Sequence, residues 1–420
     1  MLDSNDAILA QLSRQVGHFV DAAGRLGDLS TIASPTGWES LERDLGTAVR
    51  SVLSESVAGL GRRAGVLRAE LAAADTRVEL RRVHRALLAF RRDYLAVENV
   101  VEFFGDAVNT RTSTTIGWQL RALDTIAQAS LTAVLKPLGK ATPPVLTYLE
   151  RGLGASILKK DLRLWDGRSR SPVAAIKVVR HNLVRPTSLL HEAGHEIAHV
   201  LGFVEELARG FEVGLDRHGR AVAVLWSGWA SEVAADAFAF AHAGYAAVAA
   251  LHDVLAGEPR RVTEIPALDP HPAGWIRVLL GVAMCRRFFG AGPWDALGAA
   301  WRTLYPLENG DLRGADLLRT SDAALPLLVE IILERPYRAF GGRTLVDVLD
   351  PVRVRPDTLL ELERAAGPAL YTSSVWIQRE CVRLLALSGY RMATDLARGG
   401  EHLDLQRGWM RRLGDLALAA

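Results

Sequence analysis

Residues 189–200 read Leu189-Leu190-His191-Glu192-Ala193-Gly194-His195-Glu196-Ile197-Ala198-His199-Val200, with three histidines spaced by four. That spacing makes sense on a helix, where residues four apart lie one turn above each other on the same face. Two imidazoles so placed reach one metal ion. The carboxylate directly after the first histidine then lies beside the ion, where it can take a proton from bound water. The pattern His-Glu-x-x-His occurs in two overlapping frames, His191/Glu192/His195 and His195/Glu196/His199. With 11 His and 48 acids in 420 residues, one match arises by chance about 0.02 times per chain, so the segment is read as a metal-binding helix.

The three histidines span two turns, about 12 Å along the axis, too far for one ion to hold all of them. His195 is a ligand in either frame. Thirty-seven residues after it the chain reads Ser231-Glu232-Val233-Ala234-Ala235-Asp236. On a second helix Glu232 would be a third ligand, leaving a fourth position for water. Asp236, one turn later, would accept the N–H of a ligand histidine and fix its tautomer. Charges in so apolar a helix need partners. Further on, His271 is a candidate to stabilise an oxyanion, and Arg277 to pair with Asp269 or with a site carboxylate. Tyr245, amid Phe238-Ala-Phe240, is read as core rather than as a donor.

His191-Glu192-Ala-Gly-His195 followed by Glu232-Val-Ala-Ala-Asp236 resembles the gluzincin metallopeptidases. So does the later His271-Pro272-Ala-Gly-Trp-Ile-Arg277, which is similar to an element of the CaaX-protease and HtpX-like branch; the ImmA/IrrE-like peptidases share the first two elements. The resemblance covers about residues 160–280. It implies a Zn2+ cofactor held by His191, His195 and Glu232, with Glu192 as general base and a protein or peptide substrate. It also favours the first frame, because Gly194 before the second histidine matches the family, where so small a residue lets a neighbouring strand approach. The strand before the site helix is expected to pair with an extended substrate, as in zincins. The chain departs from the CaaX/HtpX pattern in lacking membrane-length segments, and from the IrrE-like proteins in its large flanks. Two other readings stay open: a regulatory or scaffold protein with a gated or inactive zincin domain, and a zinc amidase acting on a small molecule.

The expected fold is mainly α with a small α+β zincin-like core, in three segments: helical 1–144, a metallopeptidase domain over 145–310, and helical 311–420. Leu67, Leu71, Val78, Leu80, Val83, Leu87 and Leu88 recur at helical spacing, and a helix over 118–138 runs into Gly139 and Pro143-Pro144. Residues 162–165 and 173–179 read as strands around a turn, and 221–225 as another. Pro186-Thr187-Ser188 opens a helix expected to reach about residue 208, and 231–250 forms the next. The later helices break at Gly341-Gly342 and over 351–356.

Composition narrows the functions. Basic and acidic residues number 50 and 48, which argues against a dedicated nucleic-acid surface. The longest uncharged apolar run, about 237–251 and interrupted by His242, is short of the roughly 20 residues that cross a bilayer. No phosphate-binding loop occurs. Two cysteines, Cys285 and Cys381, make no disulfide framework and point to a reducing compartment, hence the cytoplasm. The helical flanks offer room for a protein partner. Arg81-Arg82 and Arg91-Arg92 are read as solvated or domain-facing, and Trp275, Trp294 and Trp301 as core.

Overall fold

The computed structural model describes residues 4–151, 155–183, 185–265, 269–307 and 312–419. The chain is mainly helical with a small α+β part. It divides into two compact units, one made of residues 1–117 and 160–174, the other of 118–159 and 175–420. The division follows packing, so the second unit gathers residues from all three segments drawn from the sequence.

The first unit packs helices α1 (Ser4–Leu26), α2 (Pro35–Leu45), α3 (Val49–Ala72) and α4 (Arg77–Arg111). The Thr76 side chain caps α4 and Glu79 returns the bond in a capping box, which satisfies donors that a helix start otherwise leaves open. Leu67, Leu71, Leu80, Val83 and Leu87 are buried while Arg81, Arg82, Arg91 and Arg92 face water, as their spacing predicts; Val78 and Leu88, of the same apolar set, are exposed on α4. The stretch 162–165 is not a strand. It makes one isolated bridge, Arg163 to Arg170, and the turn is held by Asp166, which accepts from the Ser169 backbone N–H, the Ser169 hydroxyl and the Ser56 hydroxyl. Side-chain acceptance of this kind competes with a strand ladder.

The second unit begins with α5 (Gly117–Leu135), followed by a short 3-10 turn over Lys136–Leu138 that Gly139 closes in the left-handed region. Strands β1 (Val145–Leu149), β2 (Ser156–Leu158) and β3 (Ala174–Val178) form a sheet in the order β1-β3-β2, with β2 antiparallel to β3 in the register Ile157 opposite Ile176. Helices α6 (Ser188–Leu201), α7 (Phe203–Gly214), α8 (Arg220–Gly228), α9 (Ala230–Ala243) and α10 (Tyr245–Leu255) follow. Next come α11 (Pro259–Thr263), α12 (Gly274–Phe289), α13 (Pro293–Leu304), α14 (Leu312–Ala323) and α15 (Leu325–Val329). The chain ends with α16 (Leu345–Val348), α17 (Pro356–Ala366), α18 (Ala369–Thr372), α19 (Ser374–Thr394) and α20 (Gly399–Ala419). One continuous apolar core runs from α5 through α9 and α12 to α20.

Three sequence expectations change here. Residues 221–225 lie in α8, not in a strand: Val222, Ala223 and Trp226 are buried and Val224 is exposed, a helical period that an apolar run this short does not reveal. The helix expected over 186–208 is two, because Gly202 at φ +63° ends α6 and its N–H closes back on Ala198 and His199. The helix over 231–250 is likewise broken at Gly244, φ +58°, where a Cβ would sit 2.9 Å from the Val354 carbonyl. Trp275, Trp294 and Trp301 are core as expected. Among the described residues no helix is long and apolar enough to cross a membrane.

Candidate metal centre

Helices α6 and α9 supply the centre between them. Gly194 makes their closeness possible: a Cβ there would stand 2.8 Å from the Ala235 carbonyl oxygen and 3.1 Å from Phe238 Cβ. The sequence placed a strand against this glycine; the structure places α9, the helix that carries Glu232 and Asp236. Leu189, Leu190, Ala193 and Ile197 bury one side of α6. His191 and His195 face the other way, their rings edge to face at 4.7 Å.

One ligand atom from each of His191, His195 and Glu232 falls within 4.8 Å of the other two. His191 Nε2 lies 3.4 Å from Glu232 Oε2 and His195 Nε2 lies 3.2 Å from Glu232 Oε1. Zinc bonds of about 2.0–2.2 Å at tetrahedral angles place neighbouring donors roughly 3.3–3.6 Å apart, and each imidazole nitrogen stands near that distance from its own oxygen of the Glu232 carboxylate. His199 is exposed on α6 and Glu196 is buried; neither belongs to this cluster.

The surroundings orient the donors. His191 Nδ1 lies 2.8 Å from Asp236 Oδ1, which presents Nε2 to the centre. The Ser231 hydroxyl lies 3.4 Å from His195 Nδ1. Arg277, on α12, donates through Nε to Asp236 Oδ2 at 2.5 Å and through Nη2 to Asp236 Oδ1 at 2.9 Å and Glu232 Oε2 at 3.2 Å. It thus pairs with the α9 carboxylates and not with Asp269. Asp269 instead accepts from the His271 backbone N–H at 2.9 Å and lies 2.6 Å from His271 Nδ1. The His271 ring is 55% exposed, with Nε2 3.6 Å from Glu232 Oε2. Trp275 and Trp301 fasten α12 through their indole N–H groups, to the Tyr305 and Trp275 carbonyls, and so set where Arg277 sits. Tyr245 is core, its ring packed against Trp294 and Tyr390.

Opposite charges meet at the centre. Burial opposes ionisation of Glu232, yet bonds from His191 and His195 and the charge of Arg277 hold its carboxyl far below the usual range. Burial likewise opposes Asp236, which Arg277 and His191 bring down to about 2. Burial alone would lower the His191 imidazole, but Asp236 carries it up to about 9. Glu192 behaves differently: burial pushes its carboxyl up, against the pull of both histidines. Two buried carboxylates, one on α6 and one on α9, are thus driven apart: Glu232 is held charged by its cationic neighbours and Glu192 is raised toward the protonated form.

Two contributors escaped the sequence reading. Tyr148, on β1, lies within electrostatic range of Glu192, and nothing in Val145-Leu-Thr-Tyr-Leu149 marks it. Ser231 shares its turn with Glu232, and only the geometry of α9 brings it to His195. Comparison of the chain with family models, with curated proteins and with solved structures returns no match.

Proposed function

We propose that the protein is a zinc-dependent metallopeptidase, with His191, His195 and Glu232 as ligands and Glu192 as general base. The observation that carries the reading is the meeting of the three donors across α6 and α9, all within 4.8 Å of one another. Zinc held there would polarise a substrate carbonyl and bring the pKa of water toward 7. Glu192 follows His191 on α6, buried and with a raised pKa, which suits it to take the proton of the attacking water and pass it to the leaving amine. Asp236 keeps His191 in the tautomer whose Nε2 is free to ligate. His271, at the exposed side of Glu232, would hold the developing oxyanion.

A peptide bond as target rests on the resemblance of the three motifs, since the centre itself would serve other amides. The expected substrate strand cannot pair with β3, which already has a neighbour on each side; the outer edge of β2, beside α6, is the edge that remains near the site. Both cysteines are free and buried, which fits a reducing compartment, and we place the protein in the cytoplasm.

The test pairs metal content with turnover. The wild type and Glu192→Gln should each retain close to one zinc per chain, while cleavage of unfolded proteins or short peptides falls by about 10²–10⁴-fold in the variant. Equal hydrolysis by the variant, or a wild type that takes up no zinc when it is offered, would overturn the reading.

A further inference from the structure

We infer that His271, oriented by Asp269, is a fourth protein arm of the metal centre that occupies, in the resting protein, the coordination position otherwise left to water. The inference rests on the zinc site proposed above and adds how that site is regulated.

It stands on a repeated arrangement. His191 has its Nδ1 against a carboxylate, Asp236 at 2.8 Å, and its Nε2 against Glu232 Oε2 at 3.4 Å. His271 has its Nδ1 against a carboxylate, Asp269 at 2.6 Å, and its Nε2 against the same Glu232 oxygen at 3.6 Å. Donors around one zinc ion stand roughly 3.3–3.6 Å apart, and both Nε2 atoms keep that spacing from Glu232 Oε2. His271 reaches that oxygen from an exposed loop.

The two rings differ in their moorings. His191 is fixed by α6 and by Asp236 on α9. His271 is fixed only within its own loop, since Asp269 Oδ1 takes both the backbone N–H and the ring of His271. It also lies outside the cluster of three close donors. An arm held this way ligates when the position is vacant and yields to a substrate carbonyl, after which its ring stands beside the oxygen where charge develops. Three firm donors and one displaceable donor make a centre that is closed at rest, unlike the open position of a constitutive zinc hydrolase.

The experiment uses the full-length protein loaded with cobalt in place of zinc, read by the visible d–d absorption, together with zinc affinity by chelator competition. His271→Ala should shift and weaken the cobalt band, and lower zinc affinity by about 10–100-fold, with Asp269→Asn at the lower end of that range. Free imidazole added to His271→Ala should restore the wild-type band, which a purely structural role of the side chain would not produce. An unchanged band and unchanged affinity in His271→Ala overturn the fourth arm while leaving the three-donor site intact. A wild type that binds neither cobalt nor zinc fails the zinc site itself.

Discussion

His242 shows what one buried base does to stability. It sits on α9, 3% exposed, with Nε2 lacking a hydrogen-bond partner among the described residues. Burial, and then the charge of Arg353, lower its pKa from the usual 6.5 to about 3. The folded state therefore refuses a proton that the unfolded chain accepts below about pH 6.5. Stability from this group is fully present above pH 6.5 and declines as pH falls toward 3, with a slope of at most about 1.4 kcal/mol per pH unit. Chemical denaturation at pH 7.5, 5.5 and 4.5 should show this loss, and His242→Leu should flatten it while keeping near-wild-type stability at pH 7.5, because no bond is broken and an apolar group fits an apolar site. An acid limb of the same slope in the variant would place the sensitivity elsewhere. The sequence read this residue only as an interruption of an apolar run. The cluster of His191 and His195 was readable because helix geometry makes a spacing of four mean contact; the company a single histidine keeps is a matter of tertiary packing, which spacing does not encode.

Pairs of elements explain both what the sequence revealed and what it hid. The helices around the site were found from their periodicity, but their ends were not. Gly202 and Gly244 stop α6 and α9 through backbone conformations that the surrounding apolar pattern runs straight across. The same limit applies to 221–225, where β-branched residues suggested a strand and burial on one helical face decided otherwise. Two glycines only eight positions apart now make contrasting predictions. Gly194→Ala puts a methyl against the Ala235 backbone, and forcing apart α6 and α9 costs about 1–3 kcal/mol. Since the histidines ride on α6 and Glu232 on α9, zinc affinity should fall with it. Gly202→Ala meets no neighbour but must hold φ +63°, costing about 1–2 kcal/mol with zinc affinity unchanged, because both ligands lie upstream of that turn. Chelator competition and thermal melts on the two variants separate the effects. Equal affinity in both would mean that the α6–α9 distance does not set the site.

Over the chain as a whole, every donor, together with Asp236, Ser231, Asp269, His271 and Arg277, belongs to the unit formed by residues 118–159 and 175–420. Binding to a folded state stabilises it by mass action, about 2.7 kcal/mol at a zinc concentration a hundred times Kd. The centre joins α6 to α9 directly, and Arg277 ties both α9 carboxylates to α12. Zinc should therefore slow amide exchange in all three helices together, rather than at the ligand residues alone, because sub-global opening of one breaks the coordination that holds the others. Peptides from α1 to α4 carry no donor and serve as the internal control. Hydrogen exchange with and without zinc, followed by mass spectrometry, reads this directly. Protection confined to α6 would indicate a two-histidine site without Glu232, and protection absent from α12 would show that Arg277 balances charge without coupling its helix to the metal. Zinc that also protected α1 to α4 to the same degree would mean that its effect is global, and that the centre's stability does not belong to the unit that builds it.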